Sequence, residues 1–320
     1  MKNNPKVSVI IATIGRKSLI RALESVLNQT YQNLEIIITD DTEDGKAKPL
    51  IEKYLMDPRI KYVINTKYKH GPAGNKNNGL DNITGEYFTF VDDDDIIMPN
   101  AIEELLNVAI KGNYSIVFAN CIDNIGGKFT GLHYGKDEEV SWVDRLCSRY
   151  EGEYFVIIKT SILENDRFCD ECWTLGETFF AKLWKKAQVG FYLHKALRVY
   201  SIDNQDRVTL QIVKKAKRTH LNYVLFLQEF EKYFKHYCPK SFIRLALIGI
   251  YLSAVAGEYK HVFKLCIASV KMYPKLFFMP ILWTLFCMIL PKSFLIQCYE
   301  NYLKRFKRLL KRMLLGGRSK

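Results

Sequence analysis

Through the first 125 residues, short apolar runs alternate with stretches whose apolar positions recur every three or four residues. Between Lys6 and Thr13 runs a Val/Ile/Ala stretch interrupted only by Ser8, the pattern of a strand buried on both faces. Ser18 then stands where a helix would be capped, and Leu19, Ala22, Leu23 and Val26 fall on one side of the pattern through Leu27. Leu34–Thr39, Ile60–Asn65, Tyr87–Val91 and Tyr114–Ile122 read as further strands. Between them, Lys48–Leu55, the segment that leaves the Gly71–Gly74 loop and runs through Leu80, and Asn100–Ile110 read as helices. This alternation predicts an α/β fold: a doubly wound, mostly parallel sheet with helices on both faces.

Residues 123–210 are less regular. Glu177–Lys186 reads as a helix with Phe180, Leu183 and Trp184 inward, and Gly190–Tyr200 as extended chain. From about residue 211 the texture is helical: 214–236, Ser241–Ala256 and Tyr259–Met272. Leu276–Leu290 is apolar except for Thr284, contains Pro280 and lies between Pro274 and Pro291. It is shorter than the roughly 20 residues a spanning helix needs, which predicts a re-entrant or interfacial segment. Asn301–Leu315 places Leu303, Phe306, Leu310, Met313 and Leu314 along one helical face, with Lys304, Arg305, Lys307, Arg308, Lys311 and Arg312 around the rest. That is the pattern of a basic amphipathic helix at a membrane surface.

Charge sharpens this division. The net charge of +13 hides an asymmetry: residues 1–210 carry 26 Lys/Arg against 30 Asp/Glu, and residues 211–320 carry 21 against 4. The basic third asks for a polyanionic partner, an anionic membrane surface rather than a nucleic acid, because an apolar stripe is surplus to phosphate binding. The expected organisation is an α/β domain over 1–210, then a basic helical region over 211–320 with an interfacial membrane segment at about 274–315. Eight cysteines lack disulfide-like spacing and no secretory signal opens the chain, so a reducing cytosol is expected. Cys169 and Cys172 have the spacing of half a zinc knuckle without a second pair, and read as ordinary thiols.

In doubly wound sheets, ligands bind beyond the carboxyl ends of the strands. Thr13, Asp40-Asp41 and Asp92–Asp95 all stand at such ends. Four consecutive carboxylates at the tip of a buried strand disfavour one another's ionised forms, so a positive group is expected beside them. A divalent cation with oxygen ligands, Mn²⁺ or Mg²⁺, is the simplest candidate. The alternative is a solvated acidic turn ahead of the helix near Asn100. Thr13-Ile14-Gly15-Arg16 after the first strand lacks the glycine triplet of a dinucleotide-binding dehydrogenase.

Taken together, Val7–Thr13, the Ala22…Ser25-Val26-Leu27-Asn28-Gln29-Thr30-Tyr31 segment, Glu35–Asp41, Gly74–Leu80 and Thr84–Asp95 resemble the family 2 glycosyltransferases in order and spacing. The resemblance covers residues 5–125 strongly and 150–210 loosely. It implies a GT-A fold with a nucleotide-sugar half over about 1–125 and an acceptor half over about 126–210. It also implies a nucleotide-sugar donor, a divalent cation and inversion at the anomeric carbon. Asp92 and Asp94 fill the family's D-x-D positions, with Asp94 the expected direct metal ligand and Asp92 facing the ribose or a metal-bound water. Asp95 would support them or lie near the donor sugar. Thr13 and Asp40 match nucleoside contacts, and Lys76 stands where an arginine near the diphosphate is frequent. The acid pair that supplies the general base is altered here: Glu177 matches the first acid, but Thr178 replaces the second. Glu177 is therefore the candidate base, with Asp170 and Glu171 as alternatives. Tyr200–Gln205 has no histidine where the family has one, so no third metal ligand is implied there.

The function implied is transfer of a sugar, from a UDP-sugar, to a glycan or polyprenyl-linked glycan during cell-surface polysaccharide synthesis, at the cytoplasmic face of the cell membrane. Two other readings stay open on the sequence. One is a nucleotidyltransferase, which would normally carry a longer glycine-rich basic loop than Gly15-Arg16-Lys17. The other is a catalytically degenerate membrane scaffold, which Thr178 keeps in play.

Overall fold

The computed structural model describes residues 4–174, 176–203 and 208–298. The basic stretch Asn301–Leu315 and the Asn204-Gln205 part of the altered histidine region lie outside them. The chain forms two compact units: Met1–Asp170 with Phe179–Arg207, and Glu171–Thr178 with Val208–Lys320.

The first unit is built on a nine-stranded sheet: β1 (Val7–Thr13), β2 (Leu34–Asp40), β3 (Ile60–Ile64), β4 (Tyr87–Asp92), β5 (Ile96–Ile97), β6 (Ile116–Asp123), β7 (Glu138–Ser141), β8 (Tyr154–Lys159) and β9 (Val189–Tyr200). The order is β3-β2-β1-β4-β8-β6-β9-β5, with β7 also paired to β9. The β3-β2-β1-β4 half is wholly parallel. The other half is mixed: β8 is antiparallel to both β4 and β6, β6 and β9 are parallel, and β5 and β7 are antiparallel to β9. The short strands β5, β7 and β8 are not legible in the sequence pattern.

Helices α1 (Leu19–Leu27), α2 (Lys48–Ile51), α3 (Pro72–Leu80), α4 (Ala101–Gly112), α5 (Trp142–Leu146) and α6 (Glu177–Ala187) accompany the sheet. Alternate residues of β1 face opposite layers. Val7, Val9 and Ile11 join a core with Leu19, Leu23 and Val26 of α1 and Leu105 of α4. Ile10 meets α3 so closely that a Cβ on Gly79 would lie 2.4 Å from its Cγ2. Such two-sided burial is why the strand is apolar at nearly every position. The helix of α3 starts at Pro72, inside the expected loop, because proline is preorganised for the first helical turn and lacks only an N–H that would go unused. In α6 the buried stripe is Phe179, Leu183 and Trp184; Phe180 is only half-buried, a shift of one position from the expected face.

The second unit contains α7 (Val208–Gln211), α8 (Ala216–Glu229), α9 (Glu231–Tyr237), α10 (Pro239–Ala256), α11 (Tyr259–Met272), α12 (Phe278–Ile289) and α13 (Lys292–Cys298). The expected helix over 214–236 is two helices that meet at Phe230, whose buried ring lies 5.4 Å from that of Phe226. Among the described residues, α10 alone is long and apolar enough to cross a membrane, and 83% of it is buried inside the protein. A Cβ on its Gly249 would lie 2.7 Å from Leu265 Cδ1 on α11, so that side chain would have to shift.

Cys147, Cys169, Cys172 and Cys238 are disulfide-bonded, against the expectation of ordinary thiols. Spacing along a chain gives no sign of cysteines that only folding brings together. Cys121, Cys266 and Cys287 are free.

Candidate active site

The parallel register aligns the polar ends of three strands. Thr13 pairs with Asp40, and Ala12 pairs with Asp92, so the ends of β2, β1 and β4 lie side by side along one edge. The chemistry-bearing residues of the amino-terminal half gather there because each strand stops at that edge.

The four aspartates do different jobs. The Asp92 carboxylate, about a third exposed (35%), forms an ion pair with Lys76 Nζ at 2.6 Å. Burial pushes the Asp92 carboxyl up, but the Lys76 ammonium, with Arg198 and Arg16, outweighs it and holds the group below the usual carboxylate range. Asp93 is buried. It accepts the Thr13 hydroxyl at 2.7 Å and Arg16 Nη1 at 2.6 Å, while Thr13 Oγ1 takes the Gly15 N–H at 3.0 Å. It thus latches the turn after β1 to the turn after β4. Burial is the main influence on Asp93 and raises its carboxyl despite Arg16. Asp94 is half-buried, and its carbonyl accepts the Ser201 hydroxyl. Asp95 is fully buried, accepts the Ser201 N–H at 2.9 Å and has Arg198 Nε 3.4 Å from Oδ2. Burial, with the Asp92 and Asp94 charges, pushes its carboxyl up to about 7 against the pull of Arg198.

Protein cations therefore supply much of the positive charge that the acidic run demands. Lys76 stands beside Asp92, Arg16 beside Asp93 and Arg198 beside Asp95. The residues also bear on a metal. Among the described residues, no group of three or more His, Cys, Asp or Glu side chains forms a ready cage. Asp92 and Asp94 nonetheless offer hard oxygen donors that are not fully buried. One or two carboxylates, with the remaining positions left to water and phosphate oxygens, is the donor set that Mg²⁺ or Mn²⁺ accepts with a phosphorylated substrate. The residues fit such a cation.

Asp40 is buried and its carboxylate is already committed. Oδ1 takes the Thr42 N–H and hydroxyl, and Oδ2 takes the Ala47 N–H and the Tyr62 hydroxyl. With four donors on two oxygens, Asp40 shapes the loop after β2. Its neighbour Asp41 takes Asn65 Nδ2 at 2.8 Å and the Gly71 N–H at 2.7 Å, tying that loop to the start of α3.

Helix α3 carries Asn75, Lys76, Asn77 and Asn78, all buried. Asn75 donates to the carbonyls of Thr13 and Thr39 and accepts the Thr39 hydroxyl. Asn77 bonds both the N–H and the carbonyl of Phe168 at 2.9 Å. These bonds fix the helix and hence the Lys76 ammonium. Gly74 is required where the helix meets the Lys69 carbonyl, which a Cβ would approach to 2.1 Å.

The candidate bases are divided between the units. Asp170 belongs to the first, and one of its oxygens accepts the Lys69 N–H at 2.9 Å. Glu171 and Glu177 group with the second; both are exposed, the Glu171 carbonyl accepts Arg218 Nε, and Glu177 is the first residue of α6. Thr178 is half-buried beside it.

Sequence reasoning missed Arg16, Asp93 as a latch, the α3 asparagines and Arg198. A cation between the apolar Leu197 and Val199 of β9 was the available sign for Arg198. Four consecutive polar residues in a helix with no exposed face marked α3.

Comparison with known proteins agrees with this architecture. The model of the family described as Glycosyl transferase family 2 matches residues 8–175. The GalNAc(5)-diNAcBac-PP-undecaprenol beta-1,3-glucosyltransferase of Campylobacter jejuni is 39% identical over 274 residues, 81% of this chain and 86% of the relative. Glycosyltransferase GlyG of Streptococcus pneumoniae is 28% identical over 185 residues, covering 54% of this chain and 61% of GlyG. The crystal structure of S. aureus TarS 1–349 in complex with UDP-GlcNAc superposes with a TM-score of 0.61 at 15% identity, over 92% of this chain and 91% of TarS, a likeness of fold. These matches set aside the nucleotidyltransferase reading, and the chain belongs to glycosyl transferase family 2.

Proposed function

We propose that this glycosyltransferase is inverting, uses a UDP-sugar with a divalent cation, and extends a glycan or polyprenyl-linked glycan in cell-surface polysaccharide synthesis. The observation that carries the proposal is the alignment of Thr13, Asp40 and Asp92 at one sheet edge, with Lys76 paired to Asp92 and Asp94 two residues on. The name of the Campylobacter relative, a glucosyltransferase acting on an undecaprenol-linked glycan, supports the acceptor class.

Thr13 and the loop shaped by Asp40 would bind the nucleoside, and Asp92 the ribose side of the site. Lys76 would lie near the diphosphate, where it keeps a positive charge but not the two-pronged grip of arginine. Asp94, with Asp92, would hold Mn²⁺ or Mg²⁺. Bound there, the cation would neutralise the charge that grows on the departing diphosphate. Glu177 would take the proton of the acceptor hydroxyl as that oxygen bonds to the anomeric carbon from the face opposite the nucleotide. The electrons of the broken anomeric carbon–oxygen bond leave with the nucleoside diphosphate. Asp170 and Glu171 are the other carboxylates available for the base.

The test is incubation with a panel of nucleotide sugars and a polyprenyl-diphosphate-linked glycan. Release of UDP with a lengthened acceptor supports the proposal. If no donor is turned over above the level of an Asp94→Asn control, the degenerate-scaffold reading gains instead. Replacing Glu177 with Gln, and separately Asp170 and Glu171, assigns the base by which change removes transfer while donor binding persists. We place the enzyme at the cytoplasmic face of the membrane. Protease accessibility in spheroplasts tests that side: protection from external protease until the membrane is permeabilised supports it, and digestion in intact spheroplasts would overturn it.

A further inference from the structure

More than half of the exposed large hydrophobic side chains among the described residues lie between positions 259 and 296. They share a pattern. On α11, Tyr259, Phe263 and Ile267 recur at every fourth position, so they form one stripe, and each is more than half exposed. On α12 only Pro280, Thr284 and Cys287 are buried. Leu282, Leu285 and Ile289 are 62%, 51% and 76% exposed. On α13, Phe294 and Ile296 are exposed as well.

This apolar face is held in place rather than loosely attached. Trp283 Nε1 donates to the Leu247 carbonyl of α10 at 2.8 Å, and its ring stacks on Phe286 at 5.2 Å. The Tyr251 hydroxyl of α10 donates to the Leu295 carbonyl of α13. Helix α12 turns its narrow stripe of Pro280, Thr284 and Cys287 inward and presents Leu282, Leu285 and Ile289 outward, the reverse of a surface helix in water, and α11 and α13 expose apolar side chains in addition to those they bury. A contiguous apolar surface of this kind marks an interaction site.

Charge says what covers it. Residues 259–298 contain five lysines, Lys260, Lys264, Lys271, Lys275 and Lys292, and no Asp or Glu. All five are exposed. Lys260 and Lys264 each follow a residue of the α11 stripe, and Lys271 continues it by one turn. At about 1.5 Å per residue, the 12 residues of α12 reach roughly 18 Å, well short of the roughly 30 Å hydrocarbon core of a bilayer. The helix can lie in the interface but cannot cross it. Apolar side chains bordered by lysines alone are complementary to an anionic headgroup layer over acyl chains.

We propose that the exposed face of α11, α12 and α13 docks on an anionic lipid bilayer, with its aromatic and aliphatic side chains in the headgroup–acyl boundary and its lysines against lipid phosphates. The surface takes in the Leu276–Leu290 segment that the sequence pattern singled out and extends it to α11 and α13. The proposal rests on the reading of a lipid-linked acceptor only for its biological use.

The test is co-flotation of the full chain with vesicles of phosphatidylcholine alone or with 30% phosphatidylglycerol (roughly the anionic share that gives a strong surface potential). Wild type should float with anionic vesicles and much less with neutral ones. The triple variant Leu282→Gln, Leu285→Gln, Ile289→Gln should lose at least tenfold in binding. These side chains are exposed, so its melting should match wild type. Lys264→Gln, Lys271→Gln and Lys275→Gln should each weaken binding about fivefold at low salt. Unchanged flotation of the triple variant would overturn the proposal. So would a wild-type dimer that the triple variant converts to monomer without any vesicle binding, since the face would then cover a second copy. Flotation that appears only after deletion of residues 301–320 would also overturn it, because the chain's own tail would be the occupant. Donor turnover with a water-soluble acceptor, measured on the same samples, reports the catalytic reading separately: its absence would count against that reading and leave the lipid surface standing.

Discussion

The Asp93 carboxylate latches the turn after β1 to the turn after β4. Its replacement by Asn is therefore a sharp perturbation. The carboxylate takes Thr13 Oγ1 at 2.7 Å and Arg16 Nη1 at 2.6 Å, one on each oxygen. An amide has one acceptor oxygen where the carboxylate has two, so it can accept from Arg16 or from the Thr13 hydroxyl, and the other donor loses its acceptor. A lost hydrogen bond to a charged group costs about 1.5–3 kcal/mol. Breaking a fully buried ion pair costs about 3–5 kcal/mol, but Arg16 is 22% exposed and can turn to water, which moves the cost toward the lower figure. Removing a carboxylate that burial already disfavours offsets part of the loss. The net expectation is about 2 kcal/mol. At roughly 2–4 °C per kcal/mol for a unit of this size, the catalytic unit should melt about 4–8 °C lower. Differential scanning calorimetry measures this, with UDP-sugar turnover followed in parallel. Asp93→Asn should lower both melting temperature and kcat/KM, whereas Asp94→Asn should abolish turnover with melting unchanged. If Asp93→Asn melts like wild type while Asp94→Asn melts early, the division of labour argued for these aspartates is wrong.

Three further expectations follow from other parts of the site and sheet. Lys76→Met removes the cation 2.6 Å from Asp92; because Asp92 is a third exposed, stability should fall by only about 1–2 kcal/mol, while UDP affinity by calorimetric titration falls at least tenfold. Glu35 accepts the hydroxyl and N–H of Thr84, the Gly85 N–H and the Ser8 hydroxyl; burial raises its carboxyl, but these bonds prevail and hold it below its ordinary value. Its stabilisation is thus fully present above the unfolded pKa of about 4.3 and lost as pH falls through the lower folded value, so Glu35→Gln should cost roughly 1–2 kcal/mol in urea unfolding at pH 7 and progressively less below about pH 4. Gly79→Ala forces a Cβ to within 2.4 Å of Ile10 Cγ2 and should destabilise by about 1–3 kcal/mol in the same assay, although alanine is the better helix former.

The parallel half of the sheet was legible because β1, β2 and β4 are nearly continuous apolar runs that end in a polar residue. The runs Val7–Thr13 and Tyr87–Asp92 declare both their period and their stops. In the mixed half only β6 and β9 were legible. β5 has two residues and β7 has four, too few to show alternation, and the pairing of β9 with β6 shifts register on both sides of Asn120. That shift places Arg198 opposite Cys121, and the fold brings its guanidinium to Asp95, a juxtaposition that no local pattern encodes. Asp93 escaped notice for a related reason. Its partners, Thr13 and Arg16, lie some 80 residues away and come within reach only because β1 and β4 are neighbours. Asp40 illustrates the converse. A carboxylate at a strand end invites a ligand role, but only the structure reveals that Thr42, Ala47 and Tyr62 already occupy it.

The central claim is a cation-dependent transfer of sugar at Asp94 and its neighbours. It is tested most directly by the initial rate of UDP release from UDP-sugar with a polyprenyl-linked glycan acceptor, measured in Mn²⁺, after chelation, and with Asp94→Asn. The account predicts turnover by wild type in Mn²⁺, loss on chelation with recovery when Mn²⁺ or Mg²⁺ is restored, and no recovery for Asp94→Asn at any cation concentration. Equal turnover by wild type and Asp94→Asn, or full activity after chelation, would contradict it.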